Sequence, residues 1–154
     1  MFSKEESRQL NYTFWNGFND YMSKTRSSNG RKINWLNYPS DVKSIFIRLE
    51  VDSKGARLNL DIQHKDDEIR ALIWEQMTEL KMVLENTTCS SPSWDENFNY
   101  LNKQYISRII WEDNTLNFYN PEHKQLIYIF LKNKLVKFDL FYQEYKEILM
   151  ALTN

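Results

Sequence analysis

Residues Ser44–Gln63 read SIFIRLEVDSKGARLNLDIQ, and each half of this segment alternates apolar with polar residues. Such alternation is typical of a strand with one buried face, so the segment predicts a β-hairpin. The loop Asp52–Gly55 joins the two arms, and its glycine tolerates the positive φ that closes such a turn. Pairing Val51 with Ala56 places every apolar side chain of both arms on one face, whereas a slip of one residue would mix the faces.

Length and composition indicate one globular domain over residues 1–154, since 42% of the residues are hydrophobic. A single cysteine, Cys89, excludes an internal disulfide, and the first residues lack the apolar segment of a secretory signal. No apolar run approaches the roughly 20 residues that cross a bilayer. These features predict a cytoplasmic protein that does not span a membrane.

Apolar residues recur at helical spacing on both sides of the hairpin. Ser3 followed by Glu6 is a capping-box pattern and predicts a first helix over about residues 4–24. A second helix is predicted over residues 66–86, where acidic residues begin the segment. Asn120 followed by proline predicts the start of a C-terminal helix, which Asn133 could interrupt.

The remaining segments complete the predicted fold. Residues 31–38 are predicted as a short strand or an ordered loop, 87–102 as a loop, 104–112 as a third strand, and 115–118 as a candidate fourth strand. Strands that follow one another pair antiparallel, and helices must cover their apolar face. The order therefore predicts a two-layer α+β fold, an antiparallel hairpin-based sheet of three to four strands covered by three to four helices.

The sequence contains few of the residue patterns that catalysis requires. His64 and His123 are far apart, Cys89 stands in a polar stretch, and no His-x-x-x-His or Cys-x-x-Cys spacing occurs. With only three glycines, the chain also lacks a glycine-rich loop for phosphates. We therefore expect no cofactor and no metal site, and the sequence favours a non-enzymatic accessory or recognition module.

A basic, aromatic segment before the hairpin is the main candidate site. Between Met22 and Arg48 there are six basic residues and one acidic residue, although the net charge of the whole chain is −1. Cations that contact phosphates beside rings on which bases stack are the combination used by single-strand binders. The predicted nucleic-acid-binding residues are Arg26, Arg31, Lys32, Trp35 and Tyr38. A solvated connecting segment is the alternative interpretation, because surface charge needs no partner.

A metal-dependent nuclease is the enzymatic alternative. If residues 31–38 form a strand, the order of elements resembles the core of the restriction-endonuclease-like nucleases. The candidate metal residues are then Asp41, Asp61 and Gln63, with glutamine where that core has lysine. The hairpin register places Glu50 about 13 Å from Asp61, too far to share one Mg²⁺. Polar residues on the open side of such a hairpin are expected to face solvent, and this interpretation of Asp61 is favoured.

Aromatic residues suggest a further class of function. They make up 15% of the chain, and Trp15 and Trp74 stand beside the apolar stripes of their predicted helices. Rings at the edge of a core mark a small-molecule or peptide groove only where polar groups converge with them. Exposed rings would alternatively support a homodimer or another protein-interaction domain.

Four short motifs in the same order resemble a bacterial family known as domain of unknown function 4268. They are Phe14-Trp15-x-x-Phe18, Lys32-Ile33-Asn34-Trp35-Leu36-Asn37-Tyr38, Ile106-Ser107-Arg108-Ile109 and Phe118-Tyr119-Asn120. The resemblance covers nearly the whole chain and implies no established activity, cofactor or site. It implies short stand-alone proteins and copies attached to nuclease-like or restriction-associated regions, which adds weight to a role in nucleic-acid metabolism or phage defence.

Overall fold

A four-stranded antiparallel sheet with helices packed on one face forms the architecture of the computed structural model, which describes residues 2–153. The strands run in the order β1-β2-β4-β3 across the sheet. The strands are β1 (Ile45–Asp52), β2 (Gly55–Ile62), β3 (Ser93–Asn99) and β4 (Tyr105–Asp113). The helices are α1 (Lys4–Met22), α2 (Asp67–Glu79), α3 (Lys81–Thr88) and α4 (Lys124–Thr153), the last preceded by a 3-10 turn at Pro121–His123. The predicted two-layer α+β fold is confirmed.

The hairpin forms in the predicted register. Val51 pairs with Ala56, and Glu50 pairs with Arg57. All strand residues that belong to the hydrophobic core lie on one face of the sheet, where they meet the helices. β4 pairs with the other side of β2, so the second arm of the hairpin becomes a central strand and β1 an edge strand.

The longest helix, α4, closes the core from the helix side. Its residues Leu131, Leu135 and Phe138 are fully buried. Gly17 of α1 lets the two helices approach, because a β-carbon there would collide with the hydroxyl of Tyr128. That hydroxyl donates to the carbonyl oxygen of Phe14 at 2.7 Å. No helix within residues 2–153 is both long and apolar enough to cross a membrane.

Two helical predictions need correction. The second predicted helix is divided at Leu80 into α2 and α3, since this residue leaves helical geometry with φ −92° and ψ 3°. Conversely, α4 runs through Asn133 without a break. Its buried neighbours on both sides of that asparagine supply the packing that outweighs a weak helix former.

The prediction of a loop over residues 87–102 is wrong for its second half, which forms β3. This strand lies at the edge of the sheet and has a register shift between Asp95 and Phe98. A polar edge strand with such an irregularity lacks the alternation by which strands are predicted. Residues 115–118 are not a strand but a connection in which the amide of Phe118 donates to the carbonyl of Asp52 at 3.0 Å. Residues 31–38 form the predicted alternative, an ordered loop.

Candidate nucleic-acid interface

The face of the sheet that points away from the helices, here called the open face, holds a fully buried carboxylate. Asp61 has an exposed fraction of 0%. Arg108 donates to its two oxygens at 2.7 and 2.8 Å, and Arg48 donates at 2.8 Å. Burial lowers the pKa of Arg108, but the hydrogen bonds and charge of Asp61, together with the charge of Glu50, outweigh it and raise that pKa. The predicted solvent exposure of Asp61 is therefore wrong, because two arginines from neighbouring strands cover it.

Aromatic rings hold the same two guanidinium groups in place. The Cζ atom of Arg108 lies 4.2 Å from the ring centre of Phe98. That of Arg48 lies 4.6 Å from the ring of Phe46 and 4.8 Å from the ring of Tyr100. Such contacts between cations and ring faces stabilise the charged form and fix its direction. The centre of the open face is thus a rigid layer of arginines and rings.

One end of the open face is acidic. There Arg57 forms ion pairs with Asp52, Glu50 and Glu112, whose side chains are 42–44% exposed. Glu50 also lies 3.6 Å from Arg108, which holds Asp61, so one guanidinium contacts both carboxylates and the wide separation expected between them is wrong. Since Arg108 is already paired with Asp61, the three carboxylates around Arg57 leave this end with an excess of negative charge. Phosphate groups are therefore disfavoured at this end of the sheet.

The opposite end of the sheet carries a groove lined by cations and amides. We define this basic groove by its residues Lys43, Gln63, His64, Lys65, Lys103 and Gln104. It consists of two adjoining cavities of about 530 and 560 Å³, which share a histidine, a lysine and a glutamine. Within residues 2–153, none of its three lysines forms an ion pair with a carboxylate. One carboxylate, that of Asp67, also lines the second cavity, where it pairs with Arg70 at 3.5 Å. The three lysines therefore give the groove an excess of positive charge.

Sheet topology explains why these residues meet. Lys43 shortly precedes β1, Lys65 follows β2, and Lys103 shortly precedes β4. In an antiparallel sheet ordered β1-β2-β4, the start of the first strand, the end of the second and the start of the third lie at the same end. Sequence reasoning missed the groove because these lysines are far apart in the chain. If the pairing of β2 with β4 had been known, assigning each lysine to the end of its strand would have revealed the groove.

Two members of the groove, Lys103 and His64, have distinctive local geometry. Lys103 and Asn102 both have positive φ, 68° and 45°, in the tight turn between β3 and β4. A lysine with positive φ is uncommon, and the side chain of Lys103 is exposed. His64 accepts from the amide of Asp66 through Nδ1 at 2.9 Å, which leaves Nε2 as its hydrogen-bond donor. Both side chains can thus donate to an anion.

The residues predicted from the sequence divide into two groups. Arg26, Arg31 and Lys32 are exposed, as phosphate contacts require. Trp35 and Tyr38 are only 3% and 5% exposed, so their rings belong to the core and are not accessible to bases. The indole of Trp35 donates to a backbone carbonyl, and the Tyr38 hydroxyl donates to a buried carboxylate at 2.6 Å. The stacking role predicted for these two rings is therefore wrong.

The residues of the nuclease alternative do not come together as a metal site. Asp41 accepts from Lys146 at 2.9 Å, whereas the oxygens of Asp61 are taken by two arginines. The side-chain oxygen of Gln63 accepts from Arg48 at 2.7 Å. No group of three or more His, Cys, Asp or Glu residues in the described part of the chain is arranged to hold a metal ion. Asp41, Asp61 and Gln63 are therefore engaged with separate cationic partners rather than arranged around a common metal position.

Two further tryptophans serve packing. Trp74 makes an edge contact with Trp94 at 5.4 Å between ring centres. Trp15 contacts Phe14 in the same way at 4.9 Å. Both pack against the hydrophobic core, which accounts for their position at its edge.

Comparison with known proteins identifies one related family. A family model described as domain of unknown function (DUF4268) matches residues 10–146 of the 154-residue chain. No curated protein and no solved structure matches the chain. The matched range includes all four strands and every residue of the basic groove.

Proposed function

This chain belongs to the DUF4268 family, and we propose that it is a non-enzymatic, cytoplasmic recognition module that binds single-stranded nucleic acid in the basic groove. The observation that carries the proposal is the meeting of Lys43, Lys65 and Lys103 at one end of the sheet. None of these three lysines forms an ion pair with a carboxylate of the described residues. Lysine side chains contact backbone phosphates and release condensed counterions, which drives association.

Besides charge, the groove offers hydrogen-bond donors and exposed rings to a single strand of nucleic acid. Amides of Gln63 and Gln104 can donate to phosphate or base oxygens, as can His64. Phe46 lines one cavity and Tyr105 the other, and their exposed fractions are 40% and 50%. Exposed rings beside cations favour stacking of unpaired bases, which a duplex does not present. These two rings take the role that the sequence assigned to the two buried ones.

Charge elsewhere on the molecule supports the position of the nucleic acid at the basic end of the sheet. The acidic end of the open face repels phosphate, so the ligand is expected to stay at the end that holds the lysines. Arg26, Arg31 and Lys32 remain predicted phosphate contacts on the exposed loop before the sheet. The net charge of −1 supplies no general attraction, so binding depends on these local groups.

Fluorescence anisotropy with a labelled oligothymidylate and a duplex of equal length tests the proposal. We expect the single strand to bind more tightly, with an affinity that falls as salt increases. In the variant Lys43→Gln, Lys65→Gln, Lys103→Gln, three phosphate contacts are lost. The slope of log K against log salt should then decrease by about 2, since each contact to a single strand contributes about 0.7.

A matched variant removes three charges from other exposed positions, Lys4→Gln, Lys54→Gln and Lys81→Gln. It has the same net charge as the groove variant and should bind almost as tightly as the unaltered chain. A third variant, Arg26→Gln, Arg31→Gln, Lys32→Gln, measures the contribution of the loop. Absence of binding to either oligonucleotide at low salt, or equal binding by the groove variant and its matched control, would overturn the proposal.

A further inference from the structure

Strand β1 is one edge of the sheet, and alternate residues along it direct their backbone groups away from β2. The amide of Gln63 donates to the carbonyl of Ser44 at 2.8 Å, which identifies a hydrogen-bonded pair in the register of this antiparallel ladder. Such pairs alternate, so every second residue from Ser44 bonds to β2. The residues between them direct their amides and carbonyls to the free edge, and these are Ile45, Ile47, Leu49 and Val51.

The chain itself closes both ends of this free edge. At the start, the amide of Ile45 donates to the carbonyl of Val42 at 3.1 Å, and its carbonyl accepts from the Ser40 hydroxyl at 2.6 Å. At the end, the amide of Phe118 donates to the carbonyl of Asp52 at 3.0 Å. Within residues 2–153, the outward backbone groups between these two closures have no hydrogen-bond partner. The edge is therefore open only in its middle.

This middle part, residues 47–51, is called here the unpaired edge, and it borders a cavity of about 620 Å³. The apolar lining of the cavity includes Leu36, Ile47 and Leu49. Sites to which an extended peptide adds as a strand use main-chain hydrogen bonds for affinity and pockets for alternate side chains. The unpaired edge and its cavity provide both features.

The two edges of the sheet differ in their protection against such addition. β3 is polar, and its register shifts between Asp95 and Phe98, an irregularity that hinders pairing with another chain. β1 pairs with β2 through all eight of its residues without a shift. Charged side chains do not guard this edge either, because Arg48 and Glu50 are held in ion pairs within the sheet.

We propose that the unpaired edge binds an extended peptide segment of a protein partner, which joins the four-stranded sheet as an additional strand beside β1. The outward groups recur at every second residue, a spacing that is complementary to another extended backbone. The gap between the closures spans about five residues, or about 17 Å, which suits a short segment. A second copy of β1 would bring eight residues with their flanking loops into the same gap, so a peptide is the better fit.

Charge in the cavity defines the composition of the peptide. The two arginines of the lining share a buried carboxylate, and the one acidic residue is paired within the sheet. Lys43 forms no ion pair among the described residues, so the excess of positive charge lies at the start of β1. An antiparallel peptide, the commoner arrangement, ends there and is favoured by an acidic residue near its carboxyl end. The charged lining residues are Lys43, Arg48, Glu50 and Arg108.

The peptide site adjoins the basic groove without depending on it. Lys43 and Phe46 line both the cavity beside β1 and one cavity of the groove. The peptide is held by backbone groups of β1, whereas the proposed nucleic acid is held by side chains. Each proposal can therefore fail while the other stands.

NMR titration of the isotope-labelled chain with the peptide acetyl-Val-Thr-Val-Thr-Val-Asp-amide tests the proposal. In the free chain, the amides of Ile47, Leu49 and Val51 should exchange with solvent faster than those of Arg48 and Glu50, which bond to β2. Saturating peptide should slow exchange at the three outward amides at least about ten-fold, because they then donate to the peptide.

Peptides methylated on backbone nitrogens distinguish strand addition from ordinary apolar binding. Residues that exchange hydrogen bonds across an antiparallel ladder have their side chains on the same face, so the valine amides bond to β1 and the threonine amides point away. Methylation of the valine nitrogens should weaken binding at least about ten-fold, whereas methylation of the threonine nitrogens should have little effect.

The acidic residue of the peptide is tested by replacing it with lysine, which should weaken binding to the unaltered chain. Lys43→Gln should remove the difference between the two peptides, and the matched control Lys4→Gln, at another exposed position, should preserve it. The variant Leu49→Pro lacks one outward amide but keeps the bonds to β2, since proline is tolerated at such edge positions. It should lose peptide binding while circular dichroism shows a folded chain.

The methylated peptides decide the proposal even if Leu49→Pro does not fold. Equal binding by the two methylated peptides would overturn it, as would unchanged exchange at the three outward amides in millimolar peptide. Protection of these amides that increases with protein concentration in the absence of peptide would assign the edge to a second copy of the chain and would also contradict the proposal.

Discussion

The two faces of the sheet are formed by the same strands but are buried in different ways. On the helix-covered face, apolar residues such as Leu60 and Ile109 are buried against the helix layer. On the open face, Asn59 and Asp61 are equally buried at 0% exposed, and Arg108 is 5% exposed, although these side chains point away from the helices. The comparison teaches that alternation identifies the apolar face, while exposure of the other face depends on which polar side chains meet across strands.

Removing the carboxylate of Asp61 should cause the largest loss of stability, because this group holds the arginines of the open face. In Asp61→Asn, the guanidinium groups of Arg48 and Arg108 lose their shared charge partner in a buried setting. We expect the free energy of unfolding to fall by about 3–5 kcal/mol, the usual cost of removing one partner from a buried ion pair. Urea unfolding followed by circular dichroism measures this loss.

A compensated variant separates charge from packing. Asp61→Leu combined with Arg48→Met and Arg108→Met replaces the buried carboxylate and its two arginines by apolar groups, which is often neutral for stability. Glu50, which also lies 3.6 Å from Arg108, keeps Arg57 as its partner. We expect this variant to recover most of the loss seen in Asp61→Asn. If Asp61→Asn unfolds at the same urea concentration as the unaltered chain, the cluster does not hold the open face together.

On the helix-covered face, Leu60→Ala should cost about 3 kcal/mol, because it leaves a cavity in a close-packed core. The loss should not depend on salt, since no charge is removed. The same urea titration at low and high salt checks both statements. A strong salt dependence for this variant would show that the two faces are not energetically distinct.

Alkaline pH should lower the free energy of unfolding through two buried tyrosines, Tyr38 and Tyr142. Burial, with the hydrogen bond and charge of Asp139, raises the pKa of Tyr38, and burial raises that of Tyr142. The unfolded chain then loses these protons near pH 10 while the folded chain retains them, so stability is complete below about pH 10 and falls above it. The expected slope is about 1.4 kcal/mol per pH unit for each tyrosine. Tyr38→Phe should reduce the slope measured by urea unfolding between about pH 9 and 11, the range around the ordinary tyrosine pKa.

The smallest effect is expected at the acidic end of the open face. Glu112→Gln removes a carboxylate that is 42% exposed and pairs with Arg57 at 3.3 Å. Exposed ion pairs contribute about 0–1 kcal/mol, and Arg57 retains two other carboxylates. We expect a change in unfolding free energy below about 0.5 kcal/mol. A loss as large as that of Leu60→Ala would mean that the acidic end of the open face contributes as much to stability as the core.

Local patterns in the sequence predict the hairpin, its register and the capping of α1 well, because each depends on neighbours in the chain. Ser3 accepts from the amide of Glu6 at 3.1 Å, as the capping box requires. β3 was not predictable in this way, since its pairing with β4 stabilises a polar segment that has no alternation of its own. Long-range pairing, rather than intrinsic preference, decides such a strand.

The candidate site was predicted in part and for a similar reason. The polar sequence of the loop predicts the exposure of Arg31. Burial of Trp35 depends on contacts away from its neighbours in the chain, among them the hydrogen bond from its indole to the carbonyl of Thr25. The lysines of the basic groove come from three separate strand ends, so only the strand order brings them together. Charge that is spread along a sequence becomes a site only through topology.

The continuity of α4 connects the middle of the core with the basic groove. The helix continues for twenty residues from Asn133 to Thr153, which lines one cavity of the groove. At 1.5 Å per residue this is about 30 Å. The last turns of the helix therefore belong to the groove and the middle turns to the core, so one continuous element holds the two in a fixed relation.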